Sequence, residues 1–238
     1  MKEDKSKPKN PLEKSEDKLK LGVLFSGGKD SMYAAFLEKK KGAEIVCLIT
    51  MRSENKESFM FHTPAIELTE KQAKLMDLPM LSFRTMGEKE KELWDLERAI
   101  LDAKTRFNID GIVTGALAST YQTKRIGDIC ERIGLVCINP LWKKDQIELL
   151  QELVKEKFEI IISGVFAYPL TKEWVGRKID KKFIEEMKKL QEKYKINPAG
   201  EGGEIETLVV NCPLFKNKLN VKLKKVVGEK NSWRGEFS

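Results

Sequence analysis

Six residues, Ser26-Gly27-Gly28-Lys29-Asp30-Ser31, stand between two segments of different periodicity. Residues 19–25 are an apolar run of strand length. Residues 31–41 carry Tyr33, Ala34, Phe36 and Leu37 at helical spacing, then a lysine-rich end and Gly42, a helix stop. A strand, a tight glycine turn and a helix in this order make an anion cradle, because the N–H groups of the turn and the positive end of the helix dipole converge on one point. Gly27 and Gly28 lack a Cβ and let backbone approach the anion. Lys29, expected in an exposed loop, adds a full charge, and Ser26 and Ser31 add hydroxyl donors. A Walker loop is excluded, since here the two glycines are adjacent and the lysine precedes an aspartate.

The alternation of strand and helix continues. Residues 43–50, 80–84, 110–114 and 135–138 read as strands, and residues 64–75, 88–107 and 121–132 as helices between them. Such crossovers return each strand parallel to the last, which predicts an α/β fold: a doubly wound, parallel five-stranded, Rossmann-like sheet of order 3-2-1-4-5. The texture then changes. Residues 144–157 and 180–194 read as helices, and 158–165, 205–210, 220–227 and 232–237 as strands, the last three antiparallel. This predicts a smaller C-terminal α+β domain. The expected divisions are a flexible charged arm at 1–18, a phosphate-binding domain at 19–141 and a second domain at 142–238.

With 238 residues and 41% hydrophobic content, the chain has the material for a folded core. No apolar run approaches the ~18 residues of a membrane helix, and residues 1–18 lack the apolar segment of a secretion signal. Cys47, Cys130, Cys137 and Cys212 form no C-x-x-C pair, which points to free thiols in a reducing cytoplasm. The formal net charge of +7 fits nucleic acid, and equally the heavy Lys and Glu use of a heat-adapted protein. The two signs are interleaved, which favours solvated faces over a nucleic-acid site. Only residues 216–225 form a basic stripe, a candidate docking surface.

In an open α/β sheet, ligands bind beyond the carboxyl ends of the strands where the strand order reverses. With order 3-2-1-4-5, the loop Ser26 to Ser31 faces the loop Gly115 to Ser119. Gly115 there either lets a ligand approach the backbone or is a plain turn glycine.

The stretch Ser26 to Ser31 resembles the PP-loop signature of the N-type ATP pyrophosphatases, which split ATP into AMP and pyrophosphate and adenylate an oxygen that a nitrogen or sulfur nucleophile displaces. Three further stretches narrow the likeness: Gly115 and Ala116 followed by Ser119, Tyr121, Gln122 and Arg125; Pro140-Leu141-Trp142; and Glu201-Gly202-Gly203-Glu204-Ile205-Glu206-Thr207-Leu208. Over residues 19–214 the set resembles the diphthine–ammonia ligase branch of that superfamily. The resemblance implies an ATP-dependent ligase using ATP and Mg²⁺. It would amidate the carboxylate of diphthine, the modified histidine of translation elongation factor 2, with ammonia. It implies ATP held by Ser26, Gly27, Gly28, Lys29, Asp30, Ser31, Gly115 and Ala116. It implies a substrate side built from Ser119, Tyr121, Gln122, Arg125, Trp142, Glu201, Gly202, Gly203, Glu204, Glu206 and Thr207. Whether such a chain forms a homo-oligomer stays open.

Residue chemistry suggests the roles. Lys29 and the turn amides suit the phosphates that leave as pyrophosphate. Asp30 suits a metal ion bridging phosphate oxygens, or is simply a first-turn acid that favours the helix dipole. Arg125, four residues after Tyr121, shares its helix face and suits a phosphate or the acyl substrate, or is a surface arginine. Glu204 and Glu206 share one face if their stretch is a strand, where two carboxylates could orient ammonia or accept a proton. The expected catalytic set is Lys29, Asp30, Arg125, Glu204 and Glu206. Trp142, Tyr168 and Trp174 are expected to cluster at the domain junction, against a trimethylammonium group or in the core. His62, the single histidine, is expected at the cleft edge.

Two other functions compete: a PP-loop tRNA-modifying enzyme, and an ATP-binding module without turnover. Thiolation usually needs a sulfur-carrying cysteine or a cluster, and no cysteine lies in a glycine-rich loop. The nitrogen source is expected to be free ammonia. A glutaminase commonly pairs a nucleophilic Cys with a base such as His, and the only histidine lies in the first half of the chain.

Overall fold

The computed structural model describes residues 18–53, 66–88 and 91–238. All of the expected arm except Lys18, His62, and the first residues of the helix expected at 64–75 lie outside the described residues. Strand β1 (Lys20–Leu24) leads through the glycine turn into helix α1 (Lys29–Lys40). There follow β2 (Glu44–Ser53), α2 (Ile66–Met76), β3 (Met80–Thr85), α3 (Lys91–Phe107), β4 (Gly111–Val113), α4 (Thr120–Arg132) and β5 (Val136–Ile138). The five strands are parallel in the order β3-β2-β1-β4-β5, as the alternation predicts.

Helices cover both faces of this sheet, so its central strands are apolar throughout rather than alternating. On one face Leu96 and Ile100 of α3 and Ile129 of α4 pack on Cys47, Ile49 and Ile112. On the other, Met32 and Tyr33 of α1 pack on Leu21, Val23, Leu48 and Val113. Cys47, Cys130 and Cys212 are buried free thiols and Cys137 is half-buried. Burial pushes the Cys47 and Cys212 thiols up to about 12, which leaves both unreactive. No described helix is long and apolar enough to cross a membrane.

The rest of the chain adds α5 (Gln146–Lys155), β6 (Glu159–Val165), α6 (Lys181–Tyr194), β7 (Ile205–Asn211), β8 (Leu223–Glu229) and β9 (Ser232–Phe237). Their four strands form an antiparallel sheet of order β7-β6-β9-β8. Asp145 and Asp180 cap α5 and α6, the first accepting from the Ile147 and Glu148 N–H groups and the second from the Phe183 N–H.

One apolar core joins the two sheets. It runs from β1 and α1 through Leu149, Leu153 and Phe158 to Ile162, Phe183 and Met187. Tyr33 of α1 meets Phe158 edge-on at 5.4 Å between centroids, and its hydroxyl donates to Glu152 at 2.8 Å. Each large apolar side chain buried in this way contributes about 1.5–3 kcal/mol. The second sheet is therefore a fixed wall beside the glycine turn.

Candidate active site

Helix α1 begins at Lys29, two residues earlier than its apolar spacing predicts. Lys29 thus sits in the first helical turn with only 3% of its surface exposed, not in an exposed loop. Its Nζ lies 2.8 Å from Asp30 Oδ2. Asp30 Oδ1 is buried and has no hydrogen-bond partner among the described residues. The Gly28 N–H donates to Ser26 Oγ at 3.4 Å, and Ser26 Oγ lies 3.2 Å from Ser31 Oγ. Gly28 caps the helix without a side-chain bond of its own, at the positive end of α1.

The second sheet forms the facing wall. The Lys29 N–H donates to Thr207 Oγ1 at 3.1 Å, and the Val209 N–H donates to Gly27 O at 3.3 Å. Between them lies a small cavity of about 130 Å³, lined by Ser26, Gly28, Lys29, Asp30, Gly200, Ile205, Glu206 and Thr207. Glu206 accepts from Arg234 Nη2 at 3.2 Å, and the guanidinium lies over the Phe166 ring at 4.7 Å.

Glu201 follows the lining residue Gly200. Its Oε1 accepts from the Ala118 N–H at 2.8 Å, tying the loop 115–119 to the loop 200–203. Burial holds its carboxyl above the usual range; the Asp30 charge adds to this and Lys29 opposes it. Gly115 has no room for a side chain: a Cβ there would stand 2.6 Å from Ser31 N and 2.7 Å from Asp30 C. The close approach that requires this glycine is therefore to the helix α1 backbone, not to a ligand. The Ala116 N–H donates to Thr114 Oγ1 at 3.2 Å.

The profile of the diphthamide synthase N-terminal domain matches residues 19–137, and that of the diphthamide synthase C-terminal domain matches residues 145–237. The chain belongs to the diphthamide synthase family. The match runs well past Leu214, where the likeness was expected to end. A Bos taurus protein named diphthine–ammonia ligase is 31% identical over 228 residues, covering 88% of this chain and 85% of its own. The Homo sapiens protein of that name is 30% identical over 231 residues, with the same coverage. The Schizosaccharomyces pombe protein of that name is 32% identical over 225 residues, 88% of this chain but only 37% of its own length.

Several residues expected at the site of this diphthamide synthase family member have other work. Glu204 does not share a face with Glu206. It lies before β7, where Oε1 accepts from the Asn197 N–H at 3.1 Å and from Asn197 Nδ2 at 2.6 Å, and Oε2 accepts from the Gly202 N–H at 2.8 Å. Ser119 is the N-cap of α4, accepting from the Gln122 N–H at 3.3 Å. Arg125 stacks on Tyr121 at 4.2 Å. The expected aromatic cluster is dispersed: Tyr168 meets Tyr194, Trp174 meets Phe183 and Arg177, and the Trp142 N–H donates to Asn139 O. Thr207, assigned to the substrate, bonds the phosphate loop instead.

Gln72 of α2 is a residue that sequence reasoning missed. Fully buried, its Nε2 donates to Gly27 O at 3.0 Å and to Val209 O at 2.7 Å, so one amide joins the phosphate loop to β7. Gly27 has φ +78°, and a Cβ there would fall 2.4 Å from Gln72 Oε1. The available signal was polar Thr69 and Gln72 three apart on a helix face that also carries buried Ala73 and Met76. Gln72→Met keeps the volume but removes the donor to both carbonyls, leaving Gly27 O with the Val209 N–H alone and Val209 O without its described donor, at about 1–3 kcal/mol. Pyrophosphate affinity, read by calorimetry, should fall roughly tenfold or more, while the adenosine part of the ligand, probed with AMP, binds as before. Equal losses for both ligands would mean the residue only supports packing.

Proposed function

We propose that the chain is an ATP-dependent diphthine–ammonia ligase, performing the last step of diphthamide synthesis on elongation factor 2. The observation that carries this reading is the cleft in which the α1 terminus, Lys29 and the unpartnered Asp30 Oδ1 face the segment 200–207. The diphthine carboxylate oxygen attacks the α-phosphorus of ATP and pyrophosphate leaves. Ammonia then attacks the acyl carbon and AMP leaves. The turn amides and Lys29 hold the phosphates, with Lys29 exchanging its Asp30 partner for the more highly charged phosphate. Asp30 would then hold Mg²⁺, which supplies charge neutralisation on phosphate oxygens. One carboxylate oxygen suffices, because this ion keeps waters and phosphate oxygens as its other ligands. We assign residues 19–141 to the nucleotide and residues 142–238 to the acyl substrate.

Among the three carboxylates of the glutamate-rich segment, Glu204 is fully engaged by N–H groups and Glu206 is paired with Arg234. Glu201 remains: it accepts only from the backbone of Ala118 and Ser119 among its described contacts, has no cationic partner among the described ion pairs, and is set near Asp30 and Lys29. We assign it the proton that the incoming nitrogen loses. No cysteine lines the described cleft, which supports nitrogen over sulfur transfer. The test uses purified protein, diphthine-bearing elongation factor 2 and ATP. With ¹⁵N-ammonium and unlabelled glutamine the product mass should carry the heavy nitrogen; with the labels reversed it should not. Label arriving from the glutamine amide would contradict free ammonia as the donor, and no amide in either arm would contradict the reaction.

A further inference from the structure

A second, larger cavity of about 710 Å³ lies in the C-terminal half, away from the phosphate loop. It sits at a fork in the antiparallel sheet. Strand β6 pairs with β9 only at Gly164 and Val165. Earlier along β6 that edge is taken by the segment around Lys178: the Ile162 N–H donates to Arg177 O, and the Ile179 N–H donates to Ile160 O. In this antiparallel register the N–H and C=O of Lys178 point away from β6. Across the fork, Lys222 and Ser238 exchange both backbone bonds, so those of the intervening Phe237 point away from β8. Two strand edges thus flank one opening.

The charged side chains of the lining have a single sign. Ile161, Val210 and Phe237 form an apolar floor, Arg177, Lys178, Lys218 and Lys222 surround it, and no acidic side chain is among the described lining residues. Arg177 and Lys218 are paired outward, with Glu186 and Glu159. Lys178 and Lys222, both exposed, form no salt bridge among the described residues. One face of strand β7 relates this cavity to the reaction site. Glu206 lines the phosphate cleft and Val210 lines the fork. They stand four positions apart on the strand, about 13 Å.

Resting on the ligase reading above, we infer that this fork docks an extended, acidic segment of the protein that carries the acyl group. Its backbone would add to the open strand edges, an apolar side chain would enter the floor, and its carboxylates would meet Lys178 and Lys222. The Lys178→Glu/Lys222→Glu variant should raise KM for diphthine-bearing elongation factor 2 by about tenfold or more, with KM for ATP and the saturating rate unchanged. Added salt should raise the wild-type KM toward that of the variant. Lys189→Glu, a single charge reversal on exposed α6 outside the cavity, should change none of these, whereas Lys178→Glu alone should raise KM for the factor. Anisotropy of the labelled factor, read in parallel, should show the same loss of affinity without turnover, so failure of the chemistry is separable from failure of docking. An unchanged KM and affinity in the double variant, or an equal change in Lys189→Glu, would overturn the inference. So would a wild-type dimer that the double variant dissociates while still binding the factor normally, since the fork would then join two copies of this chain.

Discussion

Lys29→Ala is expected to abolish pyrophosphate release. Its ammonium is buried at the mouth of the α1 dipole, 2.8 Å from Asp30. Losing a charged contact to phosphate costs about 1.5–3 kcal/mol, or roughly ten- to hundredfold in ATP affinity, and more where charge develops in the transition state. Because Lys29 lies in the first turn of a helix and not in a loop, its removal also leaves the Asp30 carboxylate without its cation. The melting temperature must therefore be read beside the kinetics, and a folded variant with near-normal pyrophosphate release would refute the phosphate assignment. Lys29→Arg keeps the charge but not the point geometry, and should recover only part of the rate.

Glu201→Gln should separate the two halves of the reaction. Glutamine still offers an oxygen to the Ala118 N–H, so the tie between the two loops survives. What it loses is the proton acceptor, typically worth about 10²–10⁴-fold. ATP affinity and single-turnover pyrophosphate release should stay near wild type while amide formation falls by that factor. The pH dependence has a definite sign. The folded carboxyl is held above its ordinary value, chiefly by burial. It is protonated and idle below that value, and wild-type amide formation should rise as pH passes upward through it. The variant should lack this acid limb. The same raised value means that ionising Glu201 opposes folding at higher pH, so Glu201→Gln should melt no lower than wild type at neutral pH. A collapse of ATP affinity in the variant would move Glu201 to the nucleotide side.

The parallel sheet was legible because each strand is a short apolar run and each crossover has helical periodicity, which leaves few topologies. The glycine turn between β1 and α1 was legible because adjacent glycines stand between an apolar run and a segment of helical spacing. Glu204 was misread for a local reason. Strand spacing would put it beside Glu206, but Gly200 and Gly203 adopt positive φ and turn the chain, and Asn197 captures the carboxylate. Gln72 was missed because one buried amide on an amphipathic helix looks ordinary until the backbone carbonyls it holds are seen, and those lie 45 and 137 residues away in the chain. The fork between β6 and β9 was equally hidden, since the order β7-β6-β9-β8 depends on long-range pairing that no local pattern reports. The basic stripe proved heterogeneous: Lys216 and Lys225 are paired with Asp77 and Glu236, and only part of it faces the fork.

The central claim is that the cleft between the α1 terminus and β7 activates a protein-borne carboxylate at the expense of ATP. The most direct test is pyrophosphate release by the purified chain with ATP and ammonium, comparing elongation factor 2 that carries diphthine, the same factor without it, and bulk tRNA. The account predicts release with the diphthine-bearing factor alone, one pyrophosphate for each amide formed. Release driven by tRNA, or release indifferent to diphthine, would contradict it.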